Sequence, residues 1–114
     1  MSLLTSKNKN PHFTKHAQGK MRFYRLSEAR VRRVLNSPKR IEEGIAPGTI
    51  AMMQQAGSAK HPHEIWVMVV KEKSKSQRAN RITKIISAWR YPGITKPGQP
   101  LPEEILREMR EIVD

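Results

Sequence analysis

The chain has 114 residues, no cysteine and a formal net charge of +12 at neutral pH. This length fits a single domain with one hydrophobic core, and the lack of cysteine excludes disulfides, thiolate metal sites and cysteine nucleophiles. Residues 1–11 are too polar for a secretory signal, and the longest apolar run, residues 65–70, is too short to span a membrane. The sequence therefore predicts a cytoplasmic protein without a membrane partner.

Two helices are predicted after a flexible basic arm over residues 1–11. Apolar residues recur at helical spacing between residues 13 and 24, which predicts the first helix. Ser27 is a predicted N-cap for a second helix, with Glu28 in its first turn. Pro38 ends this helix, because a residue that precedes proline avoids the helical conformation.

Strands are predicted in the middle of the chain, over residues 39–45, 49–55, 64–72 and 82–91. The third of these has a continuous apolar centre, which is typical of a central strand covered on both faces. Residues 73–81 are almost entirely polar and basic, so they are predicted to form a loop that makes the last two strands antiparallel.

A final helix is predicted over residues 101–114, with an apolar edge that packs on the sheet or on the first helices. This order of elements favours an α+β fold. The predicted architecture is a small antiparallel sheet of three to four strands with two N-terminal helices and one C-terminal helix. It forms a single domain over residues 12–114.

The positive charge is concentrated at one end of the sequence. Residues 1–40 contain eleven Lys or Arg and one acidic residue, Glu28, whereas residues 41–114 carry a net charge of only +2. A concentrated positive field attracts polyanions, and nucleic acid is the most abundant polyanion in a cell. The charge therefore indicates RNA or another nucleic acid as the first partner to consider, and the alternative is a solvated basic face without a ligand.

Residues 13–91 resemble a known family. The motifs are a His16-Ala17 pair, Met21 with a following Arg22 or Arg25, and a Ser27-Glu28 helix start. Similar motifs occur in small bacterial domains of the RelE/BrnT-like toxin superfamily, in a branch of unknown function. The resemblance implies a microbial-ribonuclease-like sheet. The better-known relatives are toxins that cleave messenger RNA and are neutralised by an antitoxin protein, so the resemblance implies the same activity and partner for this chain.

The chain departs from the pattern of that superfamily at two places. Its turn before Ser27 reads Tyr-Arg-Leu, with Arg25 at the centre, where the family more often has Arg-Gly-Ile. It also adds the predicted C-terminal helix. The resemblance therefore supports the fold more strongly than the activity.

RNA cleavage without a metal or other cofactor needs a base, an acid and cations that stabilise the phosphorane. Lys84 and Arg90 have the same parity along one strand, so both are predicted to lie on one face and to clamp a phosphate. His16 is equally consistent with a structural role, and the alternative for Tyr91 is packing. The predicted catalytic residues are His16, Lys84, Arg90 and Tyr91.

Two hypotheses about the function remain open. One is a metal-independent endoribonuclease toxin of a toxin–antitoxin pair, which binds RNA and an antitoxin. The other is a non-catalytic nucleic-acid-binding module or a protein-interaction domain. The predicted nucleic-acid-binding residues are Lys20, Arg22, Arg25, Arg30, Arg33, Lys73, Lys75, Arg78 and Arg81.

Two weaker sequence patterns are also candidates for a functional site. The run His-Pro-His-Glu at residues 61–64 contains metal-ligand side chains, but a loop that leads into a strand is the simpler interpretation. Trp66 and Trp89 lie on adjacent predicted strands and either stack bases or belong to the core. No glycine-rich phosphate loop, Ser-His-Asp arrangement or paired-carboxylate site is present in the sequence.

Overall fold

The computed structural model describes residues 11–44, 48–73 and 80–96. Within these residues the chain forms two helices and one five-stranded sheet, whose strand order is β1-β5-β4-β3-β2. No described helix has the length and apolar character that a membrane span requires. The elements are β1 (His12–Phe13), α1 (Lys15–Tyr24), α2 (Glu28–Asn36), β2 (Arg40–Glu43), β3 (Thr49–Gly57), β4 (Pro62–Lys73) and β5 (Asn80–Pro92).

The sheet is mixed, so the prediction of three to four antiparallel strands was wrong. Strands β2 to β5 are antiparallel neighbours, but β1 runs parallel to β5, with His12 opposite Lys84 and Phe13 opposite Ile85. Strand β1 has only two residues, which is too short for an alternating pattern of apolar and polar side chains. Its extended conformation depends on pairing with β5. The predicted C-terminal helix over residues 101–114 lies outside the described residues.

Both helices begin at hydroxyl N-caps. The Thr14 hydroxyl accepts a hydrogen bond from the Ala17 amide, and it also lies 3.2 Å from the Ile85 carbonyl, which ties the start of α1 to β5. The Ser27 hydroxyl accepts from the Arg30 amide at 3.0 Å, so the predicted N-cap of α2 is confirmed. Each helix therefore has a fixed starting point relative to the sheet or to the preceding turn.

The two faces of the sheet have separate apolar clusters. Helix α1 packs along β5, and α2 packs across β3 and β4, on the side that we call the helix face. The opposite side, the second face, has its own buried cluster, which includes Trp66 and Trp89. Strand β4 is central and buried on both faces, as its continuous apolar run predicts. The helix-face core comprises Phe13, Ala17, Met21, Leu26, Val31, Val34, Leu35, Met52, Ile65, Val67, Val69, Ile82, Ile85 and Ala88.

Two register shifts between β4 and β5 change the alternation of side chains. One shift leaves Ile86 without a partner on β4, so Ile85 lies in the helix-face core and Ile86 in the second-face cluster. A face assigned by simple alternation along β5 is therefore wrong for residues beyond this bulge. Lys84 and Arg90 lie on opposite faces, and the prediction that they share one face was wrong.

Candidate functional site

Arg90 connects the end of β5 to the turn between the two helices. Its Nη1 lies 2.8 Å from Nε2 of His63, and its Nη2 donates to the Tyr24 carbonyl at 3.0 Å. A guanidinium has no acceptor, so Nε2 of His63 accepts this bond and carries no proton in this arrangement. Tyr24 is the last residue of α1, where carbonyls lack helical partners and positive charge is favourable. Arg90 thereby holds the helix turn against the sheet.

Arg30 reaches the same region from the first turn of α2. Its Nη1 donates to Oε1 of Gln54 at 2.5 Å. The amide nitrogen of Gln54 donates to the carbonyls of Arg33 and Ser37, at 3.1 and 2.8 Å. Gln54 on β3 thus anchors the end of α2 and holds the Arg30 side chain at the same time.

The electrostatics of Arg30 are unfavourable. Partial burial lowers the pKa of its guanidinium, and the positive charges of Arg33 and Arg90 lower it further. An arginine stays protonated in spite of such a shift. The positive charge of Arg30 is therefore kept although burial and its cationic neighbours disfavour it. Within the described ranges, no carboxylate forms an ion pair with Arg30, Arg33 or Arg90. An external anion bound here would offset the repulsion among these three cations.

Further cations lie in the C-terminal half of α1 and at its cap, next in the chain to Tyr24. Arg25 occupies the C-cap of α1 in the left-handed conformation, and its side chain is exposed. Glu28, in the first turn of α2, pairs with Arg32 at 3.9 Å. We use the name corner surface for Arg30, Arg33, His63 and Arg90 together with the cations of the C-terminal half of α1 and of its cap, which are Lys20, Arg22 and Arg25.

Five of the nine predicted nucleic-acid-binding residues lie in the two helices and at the turn between them: Lys20 and Arg22 in α1, Arg25 at its C-cap, and Arg30 and Arg33 in α2. The other four are on or between β4 and β5. Lys73 ends β4 and Arg81 lies in β5, so the predicted loop over residues 73–81 is shorter than expected. Lys75 and Arg78 lie outside the described residues.

The structure does not bring the four predicted catalytic residues together. Arg90 lies on the helix face, whereas Lys84 is exposed beside His12 and Tyr91 packs against the second-face cluster. His16 is in the first turn of α1, eight residues before Tyr24, which corresponds to about 12 Å along the helix axis. Arg90 is therefore the predicted catalytic residue that belongs to the corner surface.

His63 belongs to the site, although the sequence pattern indicates it only as a metal-ligand candidate. It faces Arg90, while Glu64 lies on the second face because neighbouring strand residues alternate. In the described part of the chain, no group of three or more His, Asp or Glu is placed to hold a metal ion. A sequence signal near His63 is Gly57, which has a φ of +83° and whose added Cβ would collide with the His61 carbonyl oxygen and lie 2.8 Å from Nδ1 of His63.

Glu64 is fully buried, and hydrogen-bond donors surround its carboxylate. Oε1 accepts from Nε1 of Trp66 at 2.9 Å and from the Thr95 hydroxyl at 2.7 Å, and Oε2 accepts from the Thr95 amide at 3.0 Å. Arg40 lies 3.8 Å from Oε2 and also bonds the Thr95 carbonyl at 2.8 Å. These contacts give Glu64 a structural role, since its acceptor positions are already used.

The two tryptophans belong to the core of the second face. Their rings are parallel within 3°, with centroids 6.0 Å apart, and the side chains are 2 % and 1 % exposed. The guanidinium of Arg40 lies 5.2 Å from the ring centroid of Trp66. Of the two alternatives for Trp66 and Trp89, the core interpretation is confirmed.

Comparison with known proteins assigns neither a family nor a function to this chain. No family model, curated protein or solved structure matches the chain. The resemblance to the RelE/BrnT-like superfamily therefore stays a prediction, and the arrangement of charges on the corner surface is the basis for a functional proposal.

Proposed function

We propose that this protein is a nucleic-acid-binding module, and that the corner surface contacts the phosphate backbone of RNA. The observation that carries the proposal is the position of Arg30, which is held beside Arg33 and Arg90 without a carboxylate partner among the described residues. A phosphate placed between these guanidinium groups accepts charge-assisted hydrogen bonds from the N–H groups that do not bond His63, Tyr24 or Gln54, and it reduces the mutual repulsion of the three cations.

The charge distribution of the chain supports the same partner. The first forty residues hold +10 of the net charge of +12, and most of the corner surface comes from them. A field of this kind raises the rate of encounter with a polyanion and gives an affinity that depends strongly on salt. The proposal places the protein in the cytoplasm, where RNA is abundant.

Binding is better supported than cleavage. A metal-independent nuclease needs a base and an acid within reach of the same phosphate. His16 is at the far end of α1 from Arg90, and Lys84 and Tyr91 are on the second face. The imidazole of His63 is close to the cluster, but its Nε2 already accepts the bond from Arg90.

The proposal is tested by titrating the protein with a labelled RNA of about 12 nucleotides at several salt concentrations. We expect the logarithm of the binding constant to fall linearly with the logarithm of the salt concentration, by about 0.7 per neutralised phosphate. Arg33→Gln should weaken binding and reduce this slope by about 0.7, because it removes one phosphate contact. Lys60→Gln is the control, since Lys60 is also an exposed cation but lies in the turn between β3 and β4.

Two results would contradict the proposal. One is the absence of binding to RNA at low salt, and the other is an equal loss of affinity in Arg33→Gln and Lys60→Gln. Intact RNA after prolonged incubation is also expected. Cleavage that Arg90→Lys abolishes would support the endoribonuclease alternative instead.

A further inference from the structure

Phe23 is the aromatic residue of this protein that projects into solvent. The chain has two residues each of Phe, Trp and Tyr, and all six fall within the described ranges. Phe13, Trp66 and Trp89 are buried, and the two tyrosines are half-buried. The Phe23 side chain is 74 % exposed, so its ring is free to meet a ligand.

The Phe23 ring is supported from one side. The Tyr24 ring meets it in an edge-to-face arrangement, with centroids 4.8 Å apart and an interplanar angle of 84°. Tyr24 itself packs against the buried residues of both faces of the sheet, which fixes its position. A ring held in this way loses little conformational freedom when a flat ligand stacks on it.

The surroundings of Phe23 are cationic. The Lys20 ammonium lies 5.6 Å from the centroid of the Phe23 ring, and the exposed residues Arg22 and Arg25 are close to it along the chain. Phe23 thus lies in the part of α1 that contributes Lys20 and Arg22 to the corner surface, which we propose to hold phosphates. Aromatic rings beside a basic groove are the usual elements of single-strand recognition.

We propose that Phe23 stacks on an unpaired base, so that the corner surface takes a single-stranded nucleic acid in preference to a duplex. This inference rests on the proposed function. Bases in a duplex are covered on both faces by their neighbours, so Phe23 contributes nothing to duplex binding. Because every base has a π-face, the stacking carries little preference for sequence.

The experiment compares the wild type with Phe23→Leu and Phe23→Trp, using a single-stranded RNA of about 12 nucleotides, the DNA of the same sequence and the matching duplex. Phe23→Leu keeps an apolar side chain but removes the ring, and we expect it to weaken binding of both single strands by about 5- to 100-fold. Duplex binding should stay unchanged, and Phe23→Trp should retain the single-strand affinity. A 2-aminopurine base in the single strand should be quenched by the wild type and by Phe23→Trp, but not by Phe23→Leu.

The outcomes separate this inference from the function on which it rests. If no nucleic acid binds at low salt, the proposed function fails. If binding depends on Arg33 but Phe23→Leu changes single-strand and duplex affinity equally, the proposed function stands and the stacking role is overturned. A self-association in sedimentation that Phe23→Leu abolishes, with unchanged RNA affinity, would also overturn it, because the exposed ring would then be a contact between copies of this chain.

Discussion

At the scale of single residues, Arg25 shows a conflict between local conformation and charge. It adopts φ 58° and ψ 49° at the C-cap of α1, and the following amide of Leu26 bonds the Met21 carbonyl at 2.7 Å. This is the position where glycine is usual, because left-handed backbone is strained for residues with a Cβ. An exposed arginine at such a position is consistent with a role for its charge on the corner surface.

Arg25→Gly should therefore change the stability of the fold and the affinity for RNA in opposite directions. We expect the free energy of unfolding to rise by about 0.5–1 kcal/mol, since glycine relieves the strain but has a more flexible unfolded state. The RNA affinity should fall, because one exposed positive charge is lost. Urea denaturation and RNA titration measure the two effects, and a loss of stability together with unchanged affinity would contradict both expectations.

Gly57 is the residue that leaves space for His63. It has a φ of +83°, and a Cβ added there would collide with the His61 carbonyl oxygen and lie 2.8 Å from Nδ1 of His63. Gly57→Ala should lower the free energy of unfolding by about 1–3 kcal/mol, because the backbone is strained and the added methyl group collides with the His61 carbonyl and crowds the His63 ring. Gly19→Ala is the control with the opposite sign: a Cβ meets nothing within 4 Å there, and alanine should add about 0.5–1 kcal/mol inside a helix. Equal effects of the two substitutions would exclude a special role for Gly57.

At the scale of secondary-structure elements, the two faces of the sheet are stabilised by different interactions. On the helix face, Gln54 and Arg90 satisfy carbonyls at or near the C-terminal ends of α2 and α1, and thereby hold the helices at fixed positions over the strands. On the second face, Glu64 joins β4 to residue 95 beyond the end of β5, with Arg40 from the edge strand β2. Both connections are made by polar side chains, so each is sensitive to a single change of donor or acceptor.

Glu64→Gln tests the second-face connection. The amide is nearly isosteric, but it replaces one acceptor oxygen by a donor that faces other donors. We expect the free energy of unfolding to fall by about 1–3 kcal/mol. Glu43→Gln, at an exposed position on β2, should change it by no more than about 0.5 kcal/mol. Thermal and urea unfolding of the two variants provide the comparison, and similar values would argue against a structural role for the buried carboxylate.

At the scale of the whole molecule, the excess of positive charge opposes compactness. A chain with a net charge of +12 repels itself more strongly when folded than when extended. We expect the free energy of unfolding to rise when salt is increased from about 10 to 150 mM, because the screening length falls to about 8 Å. Arg30→Gln should show a smaller rise than the wild type, since one of the repelling cations is absent. A stability independent of salt in both proteins would contradict this view of the corner surface.

The sequence by itself determined the local elements: the two helices between residues 13 and 36, the Ser27 cap and the central position of β4. These depend on side-chain periodicity and on capping residues close in the chain. Only the tertiary structure decided the pairing of β1 with β5, the bulge at Ile86 that separates Lys84 from Arg90, and the meeting of Arg90 with His63 and Tyr24. The last two contacts join residues 27 and 66 positions apart. Contacts at such separations depend on how the helices settle on the sheet, and no local pattern encodes that arrangement.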